Sequence, residues 1–134
     1  MGLGAQALER YAKRAEMGGW DEEVWYSIYQ VGQIQQSAGM PWTSVLNSYL
    51  TAYQVRPTRL EPLLAITQYH VGRREFQLGY LFSRALVDTP YPEDVLFIER
   101  NIYEWELPLE YAVCCYWLGK HAEAIRVNDL IPPK

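Results

Sequence analysis

The chain has 134 residues, enough to bury one real core, and 49% of them are hydrophobic against 21% charged. Twelve basic and 16 acidic residues give a net charge of -4 with no basic cluster, which excludes the electrostatic footprint of nucleic-acid binding. No apolar run approaches the ~18 residues of a membrane span. The two cysteines, Cys114 and Cys115, are neighbours and offer neither a disulfide framework nor a four-ligand zinc site, which fits a reducing, cytoplasmic setting.

In chain order, Leu3–Met17 sets Leu3, Ala7, Leu8, Tyr11 and Ala15 against Glu9, Arg10, Lys13 and Arg14, and reads as an amphipathic helix ended by Gly18-Gly19. Asp21 opens a longer helix, through about Ala38, with Glu22 and Glu23 in its electropositive first turn. Gly32 lies inside it. A mid-helix glycine costs about 1 kcal/mol against alanine, so a close neighbour is expected there. Gly39 ends this helix and Pro41 opens the next, Pro41–Val55, which Pro57 stops. A fourth helix covers Leu60–Val71, with Pro62 in its first turn, and a fifth Glu75–Val87.

The helical period then breaks over Asp88–Asn101, where Pro90 and Pro92 precede the apolar run Val95–Ile98. That run is expected to be extended and tucked against the helices. Two further helices follow, Ile102–Leu118 and His121–Leu130, before Pro132-Pro133.

Gly39, Gly72 and Gly119 mark three hairpin turns, spaced by 33 and 47 residues. The surplus in the second interval is about the length of the Asp88–Asn101 insertion. Seven residues before each turn stands a small residue, Gly32, Ala65 or Ala112, and small residues recur after the turns at Gly79 and Ala124. This pattern resembles the tetratricopeptide repeat, whose period is about 34 residues. The string Gly119-Lys120-His121-Ala122-Glu123-Ala124-Ile125 matches its turn and second-helix start. The chain departs from the repeat in the long Gly72-to-Gly79 interval, in Val45 where Ala is usual, and in Trp20 where a proline would end a repeat.

The resemblance implies an all-α fold: a right-handed α-solenoid of about three tetratricopeptide-like hairpins with a leading helix. All of 1–134 would form one domain, with the leading helix at 1–17, repeats at 20–57, 58–87 and 102–131, and the inserted loop at 88–101. The strings RAEMGGWDEEVWYSIYQVG, YLTAYQVRPTRLEPL and PYPEDVLFIERNIYEW are also similar to the helical-repeat region found beside the catalytic domain of some family-two glycosyltransferases. That likeness implies a setting, since the Asp-x-Asp signature of the catalytic domain is absent here.

Chemistry is poorly represented. The carboxylates Asp21-Glu22-Glu23 read as a helix start, and Glu106 and Glu110, four apart, as a solvated or partner-facing helix edge. His70 and His121 each stand alone beside a turn, without companions at metal-ligand spacing. The cysteines read as small core residues. No catalytic residue, metal or cofactor is expected.

A binding surface is the better candidate, because the first helix of each stacked pair lines the concave side of such a solenoid. The repeat geometry turns inward Tyr26, Tyr29, Gln30 and Gln33 on the first hairpin. It does the same with Arg59, Ile66, Tyr69 and His70 on the second, and with Glu106, Glu110, Val113, Tyr116 and Trp117 on the third. The expected role is a non-catalytic protein–protein interaction module that holds a peptide segment or partner domain in this aromatic and amide-rich groove. An alternative is an accessory or acceptor-binding region of a glycosyltransferase, which would hold the acceptor glycan or polypeptide. Self-association through an open end of the repeat array is a further expectation.

Overall fold

The computed structural model describes residues 2–17, 21–94 and 98–131. Gly18-Gly19, Trp20, Val95–Phe97 and Pro132-Pro133, all used above, lie outside them. The described residues are mostly helical and include no β-strand. The helices are α1 (Gly2–Met17), α2 (Asp21–Ser37), α3 (Trp42–Val55), α4 (Glu61–Gly72), α5 (Phe76–Ser83), α6 (Ala85–Asp88), α7 (Leu107–Trp117) and α8 (His121–Leu130). A π-helical turn, Ile102–Glu106, leads into α7. The chain forms two compact units, Met1–Pro62 and Leu63–Lys134.

In the first unit α2 packs on α1 and on α3. Glu22, Trp25, Tyr29 and Gly32, spaced by three and four residues, form the buried stripe of α2. Val45, Ser48, Tyr49 and Ala52 answer it on α3. The close approach expected at Gly32 is present: a Cβ there would stand 2.7 Å from the Tyr49 ring. The Tyr49 hydroxyl donates to Gln36 Oε1 at 2.8 Å, which pins the ring in place. Pro41 is the N-cap residue of α3, so the helix starts at Trp42, one residue later than expected.

In the second unit α7 packs on α5 and on α8. Tyr111, Ala112, Cys115 and Val127 form one core cluster there, with Tyr80, Leu86 and Ala124 against them. Gly79 is the close-approach residue here, since a Cβ on it would meet Cys114 Sγ at 2.7 Å and Val71 Cγ2 at 3.0 Å.

Three turns close in the same way. Gly39 has φ 73° and Gly119 has φ 78°. After each, the next amide reaches back five residues, Met40 to the Gln35 carbonyl at 3.1 Å and Lys120 to the Cys115 carbonyl at 2.8 Å. These are Schellman closures, which need a left-handed residue at the turn. The middle closure does not use Gly72, which is the last residue of α4. Arg74 takes the left-handed position with φ 62°, and the Glu75 amide reaches the His70 carbonyl at 2.9 Å. The helix runs one residue further than the glycine implied, and Gly72, which is not left-handed, sits in open space. The Arg74 guanidinium lies 5.2 Å from the Trp117 ring centre and 5.7 Å from that of Phe76, an attraction that offsets its backbone strain.

The fifth and sixth helices of the sequence reading also change. Glu75–Val87 is interrupted at Arg84, where Ser83 Oγ turns back to the Gly79 carbonyl at 2.7 Å. Ile102–Leu118 begins with a π turn, in which the Leu107 amide donates to the Ile102 carbonyl five residues back. Pro108 is the physical cause: it has no N–H, and its ring would collide with the carbonyl four residues earlier in a regular α-helix. Of the insertion, residues 89–94 and 98–99 are irregular and Ile98 is half-buried.

Candidate functional site

The first two hairpins bury half of their candidate groove residues. Tyr29 is buried, stacked on Trp25 with ring centres 5.2 Å apart. Arg59 is fully buried, pairs with Glu61 at 2.6 Å, and lies 4.0 Å over the Trp25 ring. A buried charge needs such a partner, and with both present Arg59 holds the fold together and offers no ligand-facing cation. Ile66 is fully buried and His70 nearly so, its Nδ1 3.0 Å from Glu75 Oε1. These four side chains are buried within the fold and not open to solvent.

Tyr26 and Tyr69 are half-buried, Tyr26 beside Trp25 and Tyr69 edge-on to His70. Gln30 and Gln33 are half-buried too and line a shallow hollow with Gly4, Ile34, Ser37 and Ala38. Gln33 Nε2 donates to the Tyr29 hydroxyl at 3.0 Å.

The third hairpin is different. Its register relative to the turn residue matches the others, so equivalent positions can be compared. Ten residues before the turn, Tyr29 and Leu64 are buried, whereas Leu109 is 42% exposed. Six residues after it, Val45 is buried, whereas Ile125 is 63% exposed. Together with Ala112, Val113, Tyr116, Trp117, Ala124 and Asn128 they line an open groove of about 290 Å³ between α7 and α8. Tyr116 and Trp117 are 56% and 53% exposed, a large apolar area to leave in water.

These rings are held in place. Trp117 stacks on Phe76 at 5.4 Å with the planes 11° apart. Tyr116 meets both Trp117 and His121 edge-on. Sequence reasoning found Val113, Tyr116 and Trp117 but missed Ile125, Phe76 and Arg74. The apolar period of α8 marks Ile125, whereas the Arg74–Trp117 contact joins residues too distant in sequence to leave a local signal.

The groove has an acidic shoulder. Glu106 and Glu110 are half-buried one turn apart, and Glu110 is pushed above the ordinary carboxylate range by burial and then by the charge of Glu106. Nucleophilic chemistry has no support nearby. Cys114 and Cys115 are buried free thiols. Burial first, then the charges of Glu110 and Cys115, push Cys114 up to about 12. No group of three or more His, Cys, Asp or Glu able to hold a metal occurs among the described residues. No helix among them is long and apolar enough to cross a membrane. Comparison of the chain with protein-family models, with curated proteins and with solved structures returned no match.

Proposed function

We propose that the chain is a tetratricopeptide-like interaction module, an α-solenoid in its arrangement, whose binding surface is the α7–α8 groove. The repeat reading is supported by the turns. Counted from the left-handed residues Gly39, Arg74 and Gly119, the spacings are 35 and 45, and Gly32, Thr67 and Ala112 all fall seven residues before. Ser44, Gly79 and Ala124 all fall five residues after. Two departures in the sequence pattern, the long Gly72-to-Gly79 interval and Val45 in place of a small residue, disappear in this register.

The exposure of Leu109 and Ile125, at positions that are buried or half-buried in the other hairpins, beside the exposed rings of Tyr116 and Trp117, carries the functional reading. The partner that fits is an amphipathic helix with apolar residues along one face and a Lys or Arg at one end. Its apolar side would fill the groove. Its cation would meet Glu106 and Glu110, offsetting the burial, and then the Glu106 charge, that raise the Glu110 carboxyl.

Helical peptides selected from a display library against the whole chain test this. Trp117→Ala should weaken the selected peptides at least tenfold, as expected for an aromatic anchor. Amide-shift mapping should place them on Val113, Tyr116 and Ile125. Selected peptides that bind Trp117→Ala and Ile125→Asp proteins undiminished would sink the proposal. The exposed rings also suit a sugar face, so a glycan-acceptor role beside a transferase is the second reading. Quenching of tryptophan fluorescence by oligosaccharides, lost in Trp117→Ala, would favour it over the peptide.

A further inference from the structure

Away from the α7–α8 groove, two hollows of the second unit adjoin. One, of about 390 Å³, is lined by Leu86, Val87, Tyr103, Pro108, Val127 and Leu130, with Glu104 and Arg126 as its charged members. It is built by the π turn, which contributes Tyr103 and Glu104, with Pro108 one turn on. π turns recur at functional sites because the widened backbone re-aims side chains. The volume lies within the range of small-molecule pockets. Glu104 is paired with Arg100 at 3.4 Å, so its charge is answered on its own helix.

The second hollow, of about 580 Å³, is lined by Arg84, Lys120, His121, Glu123 and Arg126 with Tyr80 and Tyr111. Val87 and Arg126 line both. The charge of Glu123 is spoken for: its carboxylate accepts from the Tyr111 hydroxyl at 3.0 Å and from Arg126 Nε at 3.1 Å, and it is held below the ordinary carboxylate range chiefly by Arg126. Neither Arg84 nor Lys120 makes an ion pair among the described residues. Lys120 Nζ rests 5.1 Å over the Tyr80 ring. Both are exposed. In a chain of net charge -4, two cations without an ion pair among the described residues share a cleft beside an apolar pocket, Arg84 lying near enough to Glu123 to help lower its carboxyl.

We infer that these two hollows form one binding site for a small amphipathic anion, an apolar chain or ring ending in a carboxylate or a phosphate. The apolar part lies among Leu86, Val87, Tyr103, Val127 and Leu130. The anionic end meets Arg84 and Lys120, with Arg126 between the two regions. The inference rests on residues separate from the α7–α8 groove and does not depend on the peptide reading.

Titration of the full chain at low salt with decanoate, decyl phosphate and decanol tests it, each used below its aggregation concentration. At least one of the two anions should bind one to one, at least tenfold more tightly than the alcohol, and which one does so identifies the head group. Arg84→Glu with Lys120→Glu, both at exposed positions, should weaken that binding at least tenfold while leaving the unfolding midpoint in place. Val87→Asp should weaken decanol as well. Trp117→Ala should change none of these affinities. Anions that bind no better than decanol, an affinity indifferent to the charge reversal, or loss of binding in Trp117→Ala would each overturn the inference.

Discussion

Gly32 and Gly72 are both helical glycines, yet an added methyl group would meet opposite surroundings. At Gly32 it would press on the Tyr49 ring at 2.7 Å, and that ring is fully buried and tied to Gln36. Overpacking of this kind costs about 1–3 kcal/mol, so Gly32→Ala should lower the urea midpoint clearly. At Gly72 nothing lies within 4 Å. Gly72→Ala should therefore be neutral or stabilise by up to about 1 kcal/mol, through helix propensity and a less flexible unfolded chain. Equal effects at the two sites would contradict the packing described.

The turn residues make a second pair. Gly119→Ala places a Cβ on a left-handed residue, at a cost of about 1 kcal/mol. Arg74→Gly removes that strain but also the guanidinium over Phe76 and Trp117. Arg74→Gly should thus be the milder change by thermal denaturation, while the tryptophan emission of Trp117 shifts.

At the scale of elements, α7 carries both its packing and its exposed face on one short helix. Tyr111, Ala112 and Cys115 turn into the core, and Leu109, Val113 and Tyr116 turn out. The π turn sets this phase. By adding one residue to the turn ahead of Pro108, it buries Ile102 and Tyr103 while leaving Glu106 beside Glu110. Burial first, and then the charge of Glu106, raise the folded-state pKa of Glu110. A raised carboxyl binds a proton on folding between its unfolded and folded values, so its effect is to make stability fall as pH rises through that window. Glu110→Gln should raise the unfolding midpoint at pH 7 and give no gain at pH 3. A gain of the same size at both would mean that charge is not its source.

Glu75 and Glu123 have the opposite sign. Hydrogen bonds, from His70 first for Glu75 and from Arg126 first for Glu123, lower both carboxyls. Their contributions are present above the ordinary carboxylate range and are lost as pH falls through the folded-state values. Both groups are exposed to solvent screening, so these effects are small.

For the whole chain, the buried cysteines report on the integrity of the second unit. Cys114 is fully buried against Gly79, and Cys115 lies in the core cluster with its thiol raised, chiefly by burial. Thiolate is the species that reacts with alkylating reagents. Neither cysteine should react with iodoacetamide at pH 8 in the native protein, and both should react at the unfolding rate in urea. Rapid native labelling of either would show that this core opens.

Much of the molecule was written in local pattern. Apolar residues at three- and four-residue intervals located the helices, and Gly39, Gly119 and Pro57 placed turns and stops within a residue or two, because caps and periodicity are properties of neighbouring residues. Close packing at Gly32 was also readable, since a helix carries an interior glycine at a cost only when something comes near. What the sequence could not decide was which face of each helix ends up covered. Tyr29, Arg59 and Ile66 have the same amphipathic appearance as Tyr116 and Trp117, yet the former are buried and the latter exposed. That difference is set by which other helices pack against a face, and contacts such as Arg59 on Trp25 or Arg74 on Trp117 join residues far apart in the chain. The left-handed Arg74 belongs to the same class. No local preference selects arginine for that backbone, and the aromatic rings that hold it there come together only in the folded unit.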